Sequence, residues 1–240
     1  MPLPKIDMPT YDMVIPSSGQ TIKVRPFNVK EEKLLLIAME SENVDEIINT
    51  VKQVINNCIV VGEVNIDKLP YFDVDYMFIF LRSKSLGDHV EVTLTCNNVV
   101  DNELCGHSFK SNMDISKVEI VRPEGISDTI DLGNGSGVKM KYPNYAALKR
   151  IEAKGDVDEK TSVIVSSIEQ IFDKDGVYPA RDYSKEELKE FVEGLTEANY
   201  KKLERFVDNS PTFAVTFEED CGKCGFHHKV RYTDFYDFFT

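Results

Sequence analysis

The chain has 240 residues, and its 28 Lys and Arg against 41 Asp and Glu leave a formal net charge of −13. That length buries a proper core and leaves room for a second small domain or a large insertion, while the acidity repels phosphates and anionic membranes and excludes nucleic acid as the main partner. No stretch reaches the roughly 18 apolar residues of a membrane span, and the opening Met1-Pro2-Leu3-Pro4-Lys5-Ile6-Asp7 has no apolar run of signal-peptide length, so residence in a reducing cytoplasm is expected.

In chain order, residues 1–20 are rich in Pro and hold Ser17-Ser18-Gly19, which reads as an extended arm crossing a surface before a turn. Thr21 to Arg25 is a short strand ended by Pro26. Val29 to Ser41 then takes a helical period, with Leu34, Leu35, Ala38 and Met39 on one face and Lys30 to Lys33 as a charged first turn. Asp45 to Val60 repeats that period through Ile47, Ile48, Val51, Val54, Ile55 and Cys58, the last read as a core residue. A third helix is expected from Asp73 to Ser85 behind Pro70, with Tyr76, Met77, Phe80 and Leu81 inward.

At Gly87-Asp88 the period changes to two. His89 to Cys96 alternates, and Ser108 to Ile115 answers it across a loop, as a hairpin does. Val118–Val121, Asp128–Leu132 and Val138–Tyr142 add short strands, the last two joined by a flexible turn, Gly133-Asn134-Gly135-Ser136-Gly137. That pentapeptide lacks the Lys-Ser/Thr ending of a phosphate loop. Helices follow at Tyr145–Glu152, Glu159–Phe172, Glu186–Glu193 and Glu197–Val207, with Ser184-Lys185-Glu186-Glu187 and Thr196-Glu197 as starts. Asp173 to Gly176 has the look of a calcium loop, but its Gly comes two places early and no Glu closes it, so it reads as an acidic turn. Thr212–Glu218 and Lys229–Tyr232 are strands flanking a second turn. The aromatic end, Asp234-Phe235-Tyr236-Asp237-Phe238-Phe239, calls for docking into the core or into a neighbour.

Chemistry concentrates in the cysteines. Cys221-Gly222-Lys223-Cys224-Gly225 places two thiols on a tight turn whose backbone N–H groups can point back at sulfur; Cys96 and Cys105-Gly106 form a looser counterpart. Brought together, Cys96, Cys105, Cys221 and Cys224 make a closed zinc-ribbon set, structural because four thiolates leave no open position. His107, His227 and His228 could each replace one sulfur, and reduced core cysteines or two disulfides are the plainer alternatives. Nucleophile elbows, metalloprotease helices, nucleotide-binding glycine turns and kinase loops are absent, and acid pairs such as Asp173/Asp175 and Glu186/Glu187 read as solvated faces.

Pro9-Thr10-Tyr11, Ile15-Pro16-Ser17-Ser18-Gly19 and Ile22-Lys23-Val24-Arg25-Pro26-Phe27, with Asp67-Lys68-Leu69-Pro70, Lys141-Tyr142-Pro143, Ile171-Phe172-Asp173, Tyr183-Ser184 and a closing Phe238-Phe239, resemble the T4-type bacteriophage baseplate hub family of hub subunits and hub assembly chaperones. The resemblance spans nearly the whole chain. It implies a non-enzymatic part in building a contractile-tail baseplate, in the host cytoplasm during assembly and in the virion tail if retained, with other phage baseplate proteins as partners and no small-molecule substrate. Tyr11, Arg25, Pro26, Phe27, Phe238 and Phe239 are the candidate partner contacts. A zinc-ribbon adaptor directed at a host or phage enzyme is the alternative, distinguished by exposed apolar surface beside Cys224 and Phe226. A metal-dependent hydrolase would need an open metal position.

The expected fold class is α+β: an arm and strand (1–27), a helical segment (28–86), a β-hairpin region with the first cysteine pair (87–142), a helical insertion (143–209), and a C-terminal hairpin with the second pair and the aromatic tail (210–240).

Overall fold

The computed structural model describes residues 7–148, 157–233 and Phe238, and mixes helices with antiparallel sheets in two compact units. The first unit takes residues up to Ile66, then Phe72–Val121 and Thr212 onward; the second takes Asp67–Tyr71 and Arg122–Pro211.

The chain opens with a hairpin where an extended arm was expected. Strand β1, Tyr11–Val14, pairs antiparallel with β2, Thr21–Val24, and places Met13 opposite Ile22. Met13, Ile15, Ile22 and Val24 are buried, so the alternation was present but too short to outweigh the prolines. Only residues 7–10 of the described arm are exposed coil. The intervening turn is held by Ser17, whose backbone N–H donates to the buried Asp73 at 3.0 Å and whose hydroxyl donates to its second carboxylate oxygen.

Helix α1, Val29–Glu40, starts at Asn28, whose side chain accepts from Lys30 N and Glu31 N while Glu31 reaches back to the Asn28 N–H. This reciprocal cap satisfies donors that a helix start leaves unpaired. Leu35 and Ala38 face inward, whereas Leu36 and Ile37 are exposed. Helix α2, Val44–Cys58, buries the six residues its period indicates, Ile47 to Cys58. It stops two residues early because Ile59–Val61 extends as β3 and pairs with β2; consecutive β-branched residues suit that state.

Helix α3, Tyr71–Leu86, is enclosed on nearly every side. Phe72, Val74, Met77, Phe78, Ile79 and Leu81 are buried, while Tyr76 and Phe80, expected inward, are half-buried. A helix buried on nearly every side has no single inward face for a period to reveal.

Strand β4, His89–Thr95, alternates without a break, burying Val90, Val92 and Leu94. Its loop carries a small hairpin, β5 (Val99–Val100) with β6 (Glu103–Leu104), before β7, Ser108–Asp114, returns in register from His89↔Asp114 to Thr95↔Ser108. Asp101 and Asn102 between β5 and β6 both have positive φ (51° and 67°), the requirement of a two-residue turn that follows sheet twist. Strand β8, Glu119–Val121, ends this part of the unit.

The second unit is a sheet covered by helices; two of its strands fall where strands were expected, and two lie within the helical insertion expected over residues 143–209. Strands β9 (Thr129–Gly133) and β10 (Ser136–Met140) meet at Asn134-Gly135, both at positive φ, so the glycine-rich turn is tight and defined. Gly137 is required by close approach: a Cβ there would lie 2.7 Å from the Ile130 carbonyl oxygen and 2.3 Å from Phe172 Cζ. After α4, Tyr145–Leu148, residues 149–152 of the expected helix fall outside the described residues. Helix α5, Val157–Ser167, gives way to β11, Ile168–Phe172, where the helix was expected to continue. Strand β11 lies between β10 and β12, Val177–Pro179, in the order β12-β11-β10-β9.

Between β11 and β12, Asp173 accepts from the backbone N–H of Asp175 and of Gly176, the local turn that short acidic side chains favour. Helices α6, Lys185–Glu193, and α7, Glu197–Asp208, start at Ser184 and Thr196 as their capping signals indicate. Their Leu188, Val192, Leu203 and Phe206 close the core over Val138, Met140 and Ile168.

Strands β13 (Thr212–Asp220) and β14 (His227–Tyr232) return the chain to the first unit, with β13 paired to β14 on one side and to β8 on the other. Among the described residues no helix is long and apolar enough to cross a membrane.

Candidate metal centre

Two turns, each springing from the end of a paired strand, bring the thiols together. On the first, Cys96 follows β4; its N–H donates to the His107 carbonyl (2.8 Å) and its own carbonyl accepts from Gly106 (3.1 Å). Cys105 is tied to the same loop through its N–H to the Asn98 carbonyl at 2.8 Å. On the second, Cys221 donates to the Phe226 carbonyl (2.9 Å) and accepts from Gly225 (2.8 Å). The positive φ of Gly106 (58°) and Gly225 (71°) lets both chains fold back on the sulfurs without Cβ strain.

The sulfurs of Cys96, Cys105, Cys221 and Cys224 all lie within 4.8 Å of one another. Cys96 and Cys224 approach to 3.6 Å, and Cys105 and Cys221 to 3.9 Å. A disulfide needs about 2.05 Å, so these are four free thiols. A tetrahedral ion with metal–sulfur bonds of about 2.3 Å sets sulfur–sulfur edges of about 3.8 Å, and the two close pairs match that edge.

The electrostatics suit anionic sulfur at one end and proton retention at the other. The Phe226 N–H, then the Asn98 side-chain amide at 3.6 Å, pull the Cys224 thiol down to about 6. Burial pushes Cys96 up to about 12, against the backbone N–H of Asn98. Four adjacent thiolates repel one another, and a bound divalent cation would remove that cost while drawing off the protons. With four protein donors a metal site here would be closed, holding the fold and offering no position to a substrate.

Surrounding contacts tie the turns to the sheets. Lys223 Nζ donates to the Cys105 carbonyl at 3.1 Å, and Ser111 Oγ donates to Glu219 at 2.6 Å, linking β7 to β13. None of the three nearby histidines joins the sulfur cluster. His107 stacks on Phe109 at 5.7 Å, and His227 Nδ1 sits 2.7 Å from Asp220. His228 is buried with its ring 4.9 Å from Phe226 and 6.0 Å from Phe109. Asn98 is the contributor that sequence reasoning missed; its position two residues after Cys96 was the available signal, since that is where an N–H can point back at sulfur.

The candidate partner contacts are placed differently. Arg25 forms a two-pronged pair with Glu31 (Nη1 2.9 Å, Nη2 2.7 Å) and donates to the Pro26 and Asn57 carbonyls. The guanidinium holds the Glu31 carboxyl below its ordinary range, and Glu31 in turn raises Arg25. Phe27 is buried, with its N–H on Ser85 Oγ at 2.9 Å. Phe238 is fully buried, edge-on to Phe213 at 5.8 Å, and its carbonyl accepts from the buried Arg82 at 2.7 Å. These three serve the chain's own packing. Tyr11 and Pro26 keep part of their surface, with Lys84 Nζ 5.8 Å from the Tyr11 ring; Phe239 lies outside the described residues.

Beside the centre, Phe226 is 41% exposed, and Val99 (60%), Val100 (42%) and Leu104 (65%) stand out on the β5–β6 hairpin. Comparison with known families matches residues 8–240 to the one described as T4 bacteriophage base plate protein. No curated protein and no solved structure matches the chain.

Proposed function

The chain belongs to the T4 bacteriophage base plate protein family, and from that premise we propose that it is a non-enzymatic part of a contractile-tail baseplate, a hub subunit or hub assembly factor, stabilised by one structural zinc ion. The match over residues 8–240 carries the reading. A closed four-thiol set agrees with a structural role, because catalytic zinc keeps a position open for water or substrate. Zinc is favoured over other ions by an all-sulfur donor set whose two close pairs lie near the tetrahedral edge. Its partners are other baseplate proteins, met in the host cytoplasm during assembly and in the tail if the protein is retained.

The exposed coil at residues 7–10 and the half-exposed Tyr11 and Pro26 are the arm surface offered to such partners. Counting this protein by mass spectrometry in purified particles and in sedimented assembly intermediates tests the function. A fixed ratio to other baseplate proteins in particles makes it a subunit. Enrichment in intermediates alone makes it an assembly factor, and absence from both overturns the reading.

A second reading is favoured by the exposed Phe226, Val99 and Leu104 beside the thiols: the metal end docks onto another protein, as an adaptor to a host or phage enzyme would. Phe226→Asp combined with Leu104→Asp would then abolish that association while leaving metal content unchanged, and unaltered association removes this reading.

A further inference from the structure

In the second unit a cleft of about 890 Å³ opens beside β11, β12 and α6. Lys68, Lys141, Arg181 and Lys185 line it against a single carboxylate, Glu169. That carboxylate is already paired, 3.0 Å from Lys139. Among the described residues Lys68, Lys141 and Lys185 have no ion pair, and Arg181 reaches only Asp182 at 3.7 Å, both well exposed. A chain of net charge −13 therefore gathers four cations along one cavity whose lining holds a single acid, itself paired outside the lining. The same lining includes the buried aliphatic Val165, Ile168 and Leu188 beside the polar Ser162, Ser166 and Gln170.

We propose that this cleft binds a short acidic segment of a partner protein, with its carboxylates on the lysine and arginine rim and one aliphatic side chain on the floor. The volume lies within the roughly 300–1,000 Å³ of sites that enclose a compact ligand or a few residues. All four cations are exposed and come from three separate segments of the lining, which suits several carboxylates along an extended chain better than one small anion needing convergent donors. Single-stranded nucleic acid binds through aromatic platforms on which bases stack, and Tyr183 is the one aromatic ring lining this cleft. Beyond the cleft, the acidic body would also repel a long phosphate backbone. Charge complementarity of this kind sets partner choice and encounter rate, and it weakens as salt screens it.

The test uses the full chain and a fluorescent nine-residue peptide of Asp and Glu with one central Leu. Its Asn and Gln twin and an oligodeoxynucleotide of equal charge serve as comparisons, and fluorescence anisotropy is the readout. The acidic peptide is expected to bind at least about 10-fold tighter than its amide twin and to weaken several-fold between 50 and 200 mM salt. The double variant Lys141→Glu/Lys185→Glu should abolish binding, while Lys229→Glu in the other unit, with the same melting profile, should not. Equal binding of the amide twin, indifference to the double reversal, tighter binding of the oligonucleotide, or no saturable binding below about 1 mM would each overturn the proposal.

Discussion

Replacing Cys224 with Ser removes one sulfur from the cluster with little loss of packing, since that side chain is only half-buried and the two residues are nearly the same size. The cost expected is therefore that of losing the cross-link. Its two close sulfur pairs join residues 128 and 116 positions apart, and closing a loop of that size restricts the unfolded chain by about 5 kcal/mol on the chain-entropy model. Most of the second unit, Arg122–Pro211, lies inside this loop. Its persistence as a folded body in the denatured reference would change the figure little, because halving the effective loop alters the closure cost by only about 0.6 kcal/mol. For a chain of this length about 5 kcal/mol corresponds to a fall in melting temperature of roughly 10–20 °C. Protein purified without chelator should contain one zinc per chain by elemental mass spectrometry. Cys224→Ser, and the parent after chelation, should lose the metal and show that fall by circular dichroism. A variant that keeps its zinc, a parent without any, or a shift within about 2 °C would refute the reasoning.

Three further outcomes are expected. Glu31→Gln breaks a largely buried pair and should cost about 3 kcal/mol near neutral pH. Because the folded Glu31 value is depressed, its contribution is full above the unfolded carboxyl value of about 4.3 and is lost as pH falls through the folded one, so the variant should have a flatter acid limb in denaturation midpoints below about pH 5. Phe238→Ala, which empties a fully buried site against Phe213, should cost about 3–5 kcal/mol by urea denaturation, whereas Phe226→Ala at an exposed site should stay within about 0.5 kcal/mol; equal costs would place Phe238 outside the core. Gly137→Ala drives a methyl against the Ile130 carbonyl and the Phe172 ring and should destabilise by about 1–3 kcal/mol in the same assay, and a neutral result would mean that the strands separate there at no cost.

Elements whose pattern is local and one-sided can be read from the residues alone. Helix α2 buries the six residues named by its period, and the hairpin of β4 and β7 alternates and pairs as its residues indicate. The starts of α6 and α7 follow from Ser184 and Thr196, because a capping side chain bonds only three residues along the chain. The residues of the thiol cluster were legible too, since two Cys-Gly turns are a local pattern that presents thiols for a shared site.

Elsewhere the outcome depends on partners distant along the chain. Ile168–Phe172 leaves the helical period because β10 and β12 offer it hydrogen bonds on both sides, and local propensity cannot anticipate a neighbour on both edges. Likewise β1 becomes a strand because β2 pairs with it and Asp73 holds the turn between them. Phe27, Arg25 and Phe238 turned inward because the groups that meet them, Ser85, the Asn57 carbonyl, Arg82 and Phe213, are brought close only when the chain folds. The cationic cleft collects Lys68, Lys141, Arg181 and Lys185 from segments far apart in an acidic chain, and a charge pattern of that kind exists only in three dimensions, since Coulomb interactions depend on separation in space and not along the sequence.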